Sequence, residues 1–402
     1  MRIAVMAELS HRPQARRSFL LLAAGGLFAL AGCQLVPAPR AEPPPAPQEA
    51  PPEAPPPPTQ RPGLPPDETR NRVAVLVPLS GPNAGVGTSI ANAAQLALLD
   101  TGGERIRITV YDTARGGAAA AADQAVAEGN GLFLGPLLAD DVRAVAAIAR
   151  RNGVPVIAFS NDVSVAGDGV YLMGFTPGQS VSRVVSYARS AGLDRFAAVT
   201  PEGTYGKRAA QALLDATQRG GRVVAMQSYA RDAASLRAAV VRVSAQGTYD
   251  FLLVADSGHI AASAAAAVRT GPSPRARILG TELWATEAGL GRTPALRGAW
   301  YASVSDTMFD QLRARYRSRY GAAPYRLASL GYDSVLLAVR VAKDWRVGRP
   351  FPERALRDPG GFAGVDGAFR FGGSGIAERS LEVREVTAAG TTVLSPAPRG
   401  FD

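Results

Sequence analysis

From residue 72 onward the chain alternates short apolar runs, rich in β-branched residues, with stretches of helix length. That alternation leaves few folds open. Val73-Ala74-Val75-Leu76-Val77 stops at Pro78, and a glycine-rich turn leads into an Ala/Leu segment over about 88–99. Strand-length runs recur at about 106–111, 131–134 and 154–159, with helix-length segments at about 118–128 and 140–151 between them. Runs that are apolar at consecutive positions are buried on both faces. Helix-length crossovers between such runs are the signature of a parallel sheet covered on both sides.

After Thr176 the pattern starts again. Helices are predicted at about 180–191, 207–219, 233–245 and 260–270, and strands at about 196–200, 223–226, 250–255 and 277–279. The fold class is therefore α/β, with two doubly wound parallel-sheet lobes joined by hinge crossovers, and ligands are expected at the carboxyl ends of the strands. A helix rich in Arg and Tyr follows at about 308–320, then an apolar one at about 328–343. Residues 361–393 read as short strands forming a hairpin. Residues 72–175 and 286–340 are expected to form the first lobe, 176–285 and 341–396 the second, and 397–402 a tail.

The segment before residue 72 reads as delivery. Arg12, Arg16 and Arg17 precede an apolar run, 19–31, too short to anchor across a bilayer; basic residues, a short apolar run and small residues make a secretory signal over 1–32. Its end, Leu30-Ala31-Gly32-Cys33, resembles a bacterial lipobox, which implies cleavage before Cys33 and acylation of that residue. Acyl chains contribute about 0.8 kcal/mol per buried methylene, so several of them hold a protein on a membrane. By the same resemblance, Gln34 favours sorting to a Gram-negative outer membrane, on its periplasmic face. The Arg16-Arg17 pair fits either twin-arginine or general export. Residues 33–71 are Pro/Ala/Glu-rich with nothing periodic to bury, a disordered tether. At ~3.1 Å per residue it could reach on the order of 100 Å.

Composition excludes whole classes of chemistry. The chain has one cysteine and two histidines, His11 and His259, so no intramolecular disulfide, Cys-rich zinc module or multi-His metal site is expected, and no cofactor. Asp256, Ser257 and His259 lie within four residues, which does not set a nucleophile against a base, and there is no Gly-x-Ser-x-Gly elbow. The Gly81–Thr88 turn lacks the Lys-Ser/Thr of a phosphate loop. No constellation supports an enzyme. The formal charge of +10 falls to +7 once the signal, with Arg2, Arg12, Arg16 and Arg17 against Glu8, is removed. Arg313, Arg315, Arg317, Arg319 and Arg326 gather around one predicted helix; in an exported protein they read as a solvated face or a docking surface for an acidic partner, not a nucleic-acid site.

Two sets of motifs carry a resemblance. Val73 to Leu99, with Val77-Pro78-Leu79-Ser80-Gly81-Pro82, and the later Tyr316, Tyr320-Gly321, Pro324 and Gly331-Tyr332-Asp333 resemble type I periplasmic binding proteins of the branched-chain amino-acid kind. Leu134-Gly135-Pro136-Leu137-Leu138, Met173-Gly174-Phe175-Thr176-Pro177 and Tyr205-Gly206-Lys207-Arg208 are similar to a narrower family, the outer-membrane lipoprotein activators of penicillin-binding proteins. Well-known activators carry a helical-repeat domain where this chain has its proline tether.

The first resemblance implies a ligand cleft between the lobes, with Ser80, Asn83, Ser160, Asn161 and Asp162 on one side and Tyr205, Asp256 and Glu282 on the other. Transport receptors put a serine after the Gly-Pro turn to hold a ligand carboxylate; Leu137 and Leu138 stand there instead. The second resemblance implies a non-catalytic lipoprotein that binds and activates a peptidoglycan synthase. The alternative is a receptor for amino acids or amides that serves an ABC transporter.

Overall fold

The computed structural model describes residues 67–218, 220–287, 289–398 and 400–401. The signal, Cys33 and most of the tether lie outside the described residues.

The first lobe is built on β1 (Asn71–Val77), α1 (Ala84–Thr101), β2 (Ile106–Asp112), α2 (Ala118–Ala127), β3 (Leu132–Leu134), α3 (Ala139–Arg151), β4 (Val156–Ala158) and β5 (Val170–Leu172). Its sheet runs β2-β1-β3-β4-β5, every pair parallel. All seven residues of β1 are buried. Val73, Val75 and Val77 join the core on one face, with Ile90 of α1, while Ala74 and Leu76 join the other, with Ala122 of α2 and Val145 of α3. This is the two-residue period of a strand sandwiched between helix layers, and each fully buried Val or Leu contributes about 1.5–3 kcal/mol.

The second lobe contains α4 (Pro177–Ser190), β6 (Arg195–Pro201), α5 (Thr204–Thr217), β7 (Arg222–Tyr229), α6 (Ala233–Ala245), β8 (Phe251–Val254), α7 (Gly258–Arg269), β9 (Arg277–Gly280) and β10 (Trp300–Ser303). The chain then forms α8 (Thr307–Tyr320), α9 (Ala328–Val341), β11 (Phe362–Gly364), β12 (Gly367–Phe371), β13 (Ala377–Arg379), β14 (Glu382–Thr387) and β15 (Gly390–Ser395). The second sheet runs β15-β14-β10-β9-β8-β6-β7, with β14 antiparallel to β10 and β15 antiparallel to β14.

The two doubly wound lobes are as expected, but their membership is not. Trp300–Ser303, assigned to the first lobe by position, pairs with β9 and β14 in the second. Residues 341–379, assigned to the second lobe, pack on the first: Trp345, Phe351, Leu356, Phe369 and Phe371 share a core cluster with Val75 and Ile90. The expected terminal hairpin is two separate units. β11-β12-β13 is a small antiparallel sheet on the first lobe, and β14-β15 edges the second. The chain thus crosses between lobes three times, after β5, after β10 and after β13.

Candidate functional site

The carboxyl ends of both sheets' parallel strands carry the residues expected to line the cleft. On the first lobe, β1 runs out into Pro78-Leu79-Ser80. Asp112, at the end of neighbouring β2, accepts hydrogen bonds from the Leu79 N–H (2.8 Å), the Ser80 hydroxyl (2.8 Å) and the Ala114 N–H (2.9 Å). Burial acts to raise the Asp112 pKa, but these donors outweigh it and hold the carboxyl below its usual range. Ser80 is thereby committed to its own lobe. Asn83 occupies the position before α1 without capping it through its side chain.

The turn after β3 contains a cis Gly135-Pro136 bond, with Gly135 at φ 96°. A Cβ at Gly135 would lie 2.1 Å from the Leu76 carbonyl oxygen, so only glycine fits. The Gly135 N–H donates to the Ile157 carbonyl (2.8 Å), and the Pro136 carbonyl accepts from Phe159 N–H (2.9 Å). Backbone pins the turn between β1 and β4, and it presents Leu137 half-buried and Leu138 exposed. After β4, Ser160 is buried and accepts from the Asp162 N–H (3.1 Å), while Asn161 is exposed. Burial would raise the Asp162 pKa; the N–H and hydroxyl of Ser164, with Arg143, hold it low instead. Arg208, on α5 of the opposite lobe, adds to that effect.

The second lobe is built differently. The Tyr205 hydroxyl, in the first turn of α5, donates to Glu282 Oε1 (2.9 Å) and lies 2.9 Å from the Thr281 hydroxyl. The other Glu282 oxygen accepts from Ser180 of α4. Burial pushes the Glu282 carboxyl above its ordinary range, and burial beside that acid pushes the Tyr205 phenol up as well. Asp256 is not part of this cluster. It is 8% exposed, accepts from the Tyr229 hydroxyl (2.6 Å) and from the Ser257 N–H (2.7 Å), and its carbonyl accepts from the Trp284 indole (2.9 Å). Of the expected second-lobe residues, Tyr205 and Glu282 therefore meet, while Asp256 braces the core behind them. Ser257 sits at the N-cap of α7 and His259 is exposed in its first turn, each with a place in helix geometry.

Sequence reasoning expected hinge crossovers but missed the charged residues that brace them. Arg326, read as part of a solvated face, has a side chain only 10% exposed and pairs with buried Asp366 (2.6 Å). Asp306 continues the line, 3.9 Å from Arg326 and 2.5 Å from Arg384, which also pairs with Glu382. This chain of charges runs from the first lobe to β14 of the second. Beside it lies a cavity of about 30 Å³, lined among others by Ser180, Glu282, Arg326 and Arg379. That is room for about two waters, far below the ~300–1,000 Å³ of sites that enclose drug-sized ligands. Arg313, Arg315, Arg317 and Arg319 are exposed on α8, as expected.

Comparison with known proteins bears on this geometry. The profile of the family described as periplasmic binding protein matches residues 71–391. Among curated proteins, an uncharacterized protein of Rickettsia prowazekii (strain Madrid E) is 29% identical over 142 residues, 35% of this chain; the match spans 38% of that relative's length. A leucine binding protein of Thermotoga maritima superposes with TM-score 0.60 at 20% identity, covering 81% of this chain and 98% of that one. An ABC transporter substrate-binding protein of Sphaerobacter thermophilus gives TM-score 0.68 at 18% identity, covering 83% and 99%. A solute binding protein of Rhodopseudomonas palustris, solved with 3,4-dihydroxybenzoic acid, gives 0.63 at 19% identity, covering 83% and 98%. At these identities the solved structures share the fold.

Proposed function

We propose a regulatory, non-catalytic function for this chain, which belongs to the periplasmic binding protein family. Acyl chains on Cys33 hold it at the periplasmic face of the outer membrane, and the proline tether carries the two-lobed domain inward. There it binds and activates a peptidoglycan synthase of the penicillin-binding class. The observation that carries this reading is the first lobe's rim. Where a transport receptor is expected to offer a hydroxyl to a ligand carboxylate, this chain offers Leu138, 41% exposed. Leu79, 37% exposed, follows β1, the strand that pairs with β3, so the two leucines stand on one edge. Exposed leucines beyond the ends of paired strands favour burial under a protein partner.

Activation requires that the domain bind the synthase's active state more tightly than its inactive one, since equal affinity shifts nothing. The test mixes the full-length lipoprotein with each penicillin-binding protein of its host and measures glycan polymerisation and crosslinking. A several-fold rise with one of them is expected; unchanged rates with all of them overturn the reading. Replacing Cys33 by Ser should move the protein from the membrane to the soluble periplasmic fraction.

A second reading, a solute receptor for amino acids or amides, is favoured by the charged groups at the strand ends, where Arg208 of the second lobe helps hold the Asp162 carboxyl low. It predicts that members of an amino-acid and benzoate panel raise the melting temperature at micromolar concentration.

A further inference from the structure

We propose that the hinge contains a small-anion site, for a halide ion or a single carboxylate group, between the Arg326 and Arg379 guanidinium groups and the first turn of α4. Arg379 is 8% exposed and donates through Nη2 to the Met173 carbonyl (2.7 Å). Its Nε and Nη1, and the Nε and Nη2 of Arg326, are buried and have no hydrogen-bond acceptor among the described residues. A buried donor left without an acceptor is unfavourable, more so when charged. Both arginines line the 30 Å³ cavity.

Aromatic rings hold the guanidinium faces. Phe309 lies 4.1 Å from Arg326, and Phe175 and Phe369 lie 4.8 and 5.3 Å from Arg379. Rings attract the cation without accepting its in-plane N–H bonds, so they leave the donor edges unsatisfied. The opposite wall is the start of α4, where Thr176 occupies the N-cap without a side-chain cap bond and Gln179 and Ser180 line the cavity. A 14-residue helix turns the positive end of its dipole toward that wall.

The acids around the cavity oppose an anion less than their number suggests. Asp366 pairs with Arg326, and Asp306 pairs with Arg384, which also holds Glu382. Asp333 on α9 is fully buried; burial first, then the Asp366 charge, raises its pKa to about 7, although it accepts from the Val365 and Asp366 N–H groups. Glu282, on the far wall, is also pushed upward by burial. Protonation of Asp333 removes one of the two carboxylate charges that act on Arg379, the other being that of Asp366. Anion affinity should therefore strengthen as pH falls through about 7. The volume of about 30 Å³ matches one halide or one carboxylate head. Because Arg326 and Arg379 belong to the first lobe and α4 and Ser303 to the second, occupancy would bias the angle between lobes.

The test uses the full-length protein at constant ionic strength, exchanging bulky gluconate for bromide. Bromide should raise the melting temperature of the wild type, and crystals grown in bromide should show its anomalous peak between Arg326, Arg379 and Thr176. Arg379→Gln should weaken bromide binding by at least about tenfold, and Thr176→Val by less. Acetate that displaces bromide identifies the occupant as a carboxylate; bromide binding that acetate leaves unchanged identifies a halide. A wild-type bromide map with no peak in the cavity overturns the proposal, as does equal stabilisation of wild type and both variants. Since the map needs no variant, misfolding of Arg379→Gln does not rescue it.

Discussion

The two rims of the cleft occupy equivalent places at the strand ends of similar sheets, yet they are made of different material. The first lobe's rim is held largely by backbone: the Gly135 turn is fixed by main-chain bonds to Ile157 and Phe159, with Leu137 packed against the core and Leu138 exposed. Its carboxylates, Asp112 and Asp162, accept N–H bonds and are held low. The second lobe's rim is held by side chains, with Tyr205, Ser180 and Glu282 bonded together and Tyr229 on Asp256. Its Glu282 is pushed high. A rim built from backbone leaves its side chains free to vary for a partner. A rim built from a buried polar network is committed to its own geometry.

Four experiments can break this contrast. The largest effect is expected for Gly135→Ala, which adds a Cβ 2.1 Å from a backbone oxygen at φ 96°. Denaturant melts should show a loss of about 3 kcal/mol or more. Tyr229→Phe should cost about 1–3 kcal/mol in the same melts by taking a donor from a buried carboxylate; a neutral result would mean the second rim does not depend on its side chains.

The third test is a pair read against pH. A raised acid such as Glu282 lets the folded state hold more protons than the unfolded one, so its contribution falls as pH rises above about 4.5. A lowered acid such as Asp112 contributes above about 3.8 and loses that contribution as pH falls through its folded value. Glu282→Gln should therefore flatten the decline of melting temperature toward neutral pH, whereas the deficit of Asp112→Asn should be largest at neutral pH and vanish in acid. Parallel profiles would erase the difference between the rims. The smallest stability effect, within about 0.5 kcal/mol, is expected for Leu138→Ser. Under the proposed function, that variant should nevertheless capture less synthase in a pull-down.

Much of this architecture was legible because consecutive burial marks a parallel strand: the run Val73 to Val77 needed no context. β5 was missed because Val170–Leu172 is short and lies among Gly167, Gly169 and Gly174, which read as loop. The lobe assignment failed for a different reason. A hinge crossing leaves no periodicity, so position along the chain could not reveal that β10 turns to the second sheet while Phe369 turns to the first. In the site, Tyr205, Asp256 and Glu282 were expected together on the second lobe because each follows a strand of one sheet, and the structure bonds Tyr205 to Glu282. Arg326 was misread because a buried arginine and a solvated one look alike until Asp366, forty residues on, comes to meet it.

The three crossings have a consequence for how the molecule comes into being. The first lobe's core needs Phe351, Phe362 and Phe369, and the second lobe's sheet needs β14, so neither can close until nearly the whole chain has been made. Contacts between such distant segments slow folding. Through most of its synthesis the chain therefore holds neither lobe closed, and both are completed together near its end.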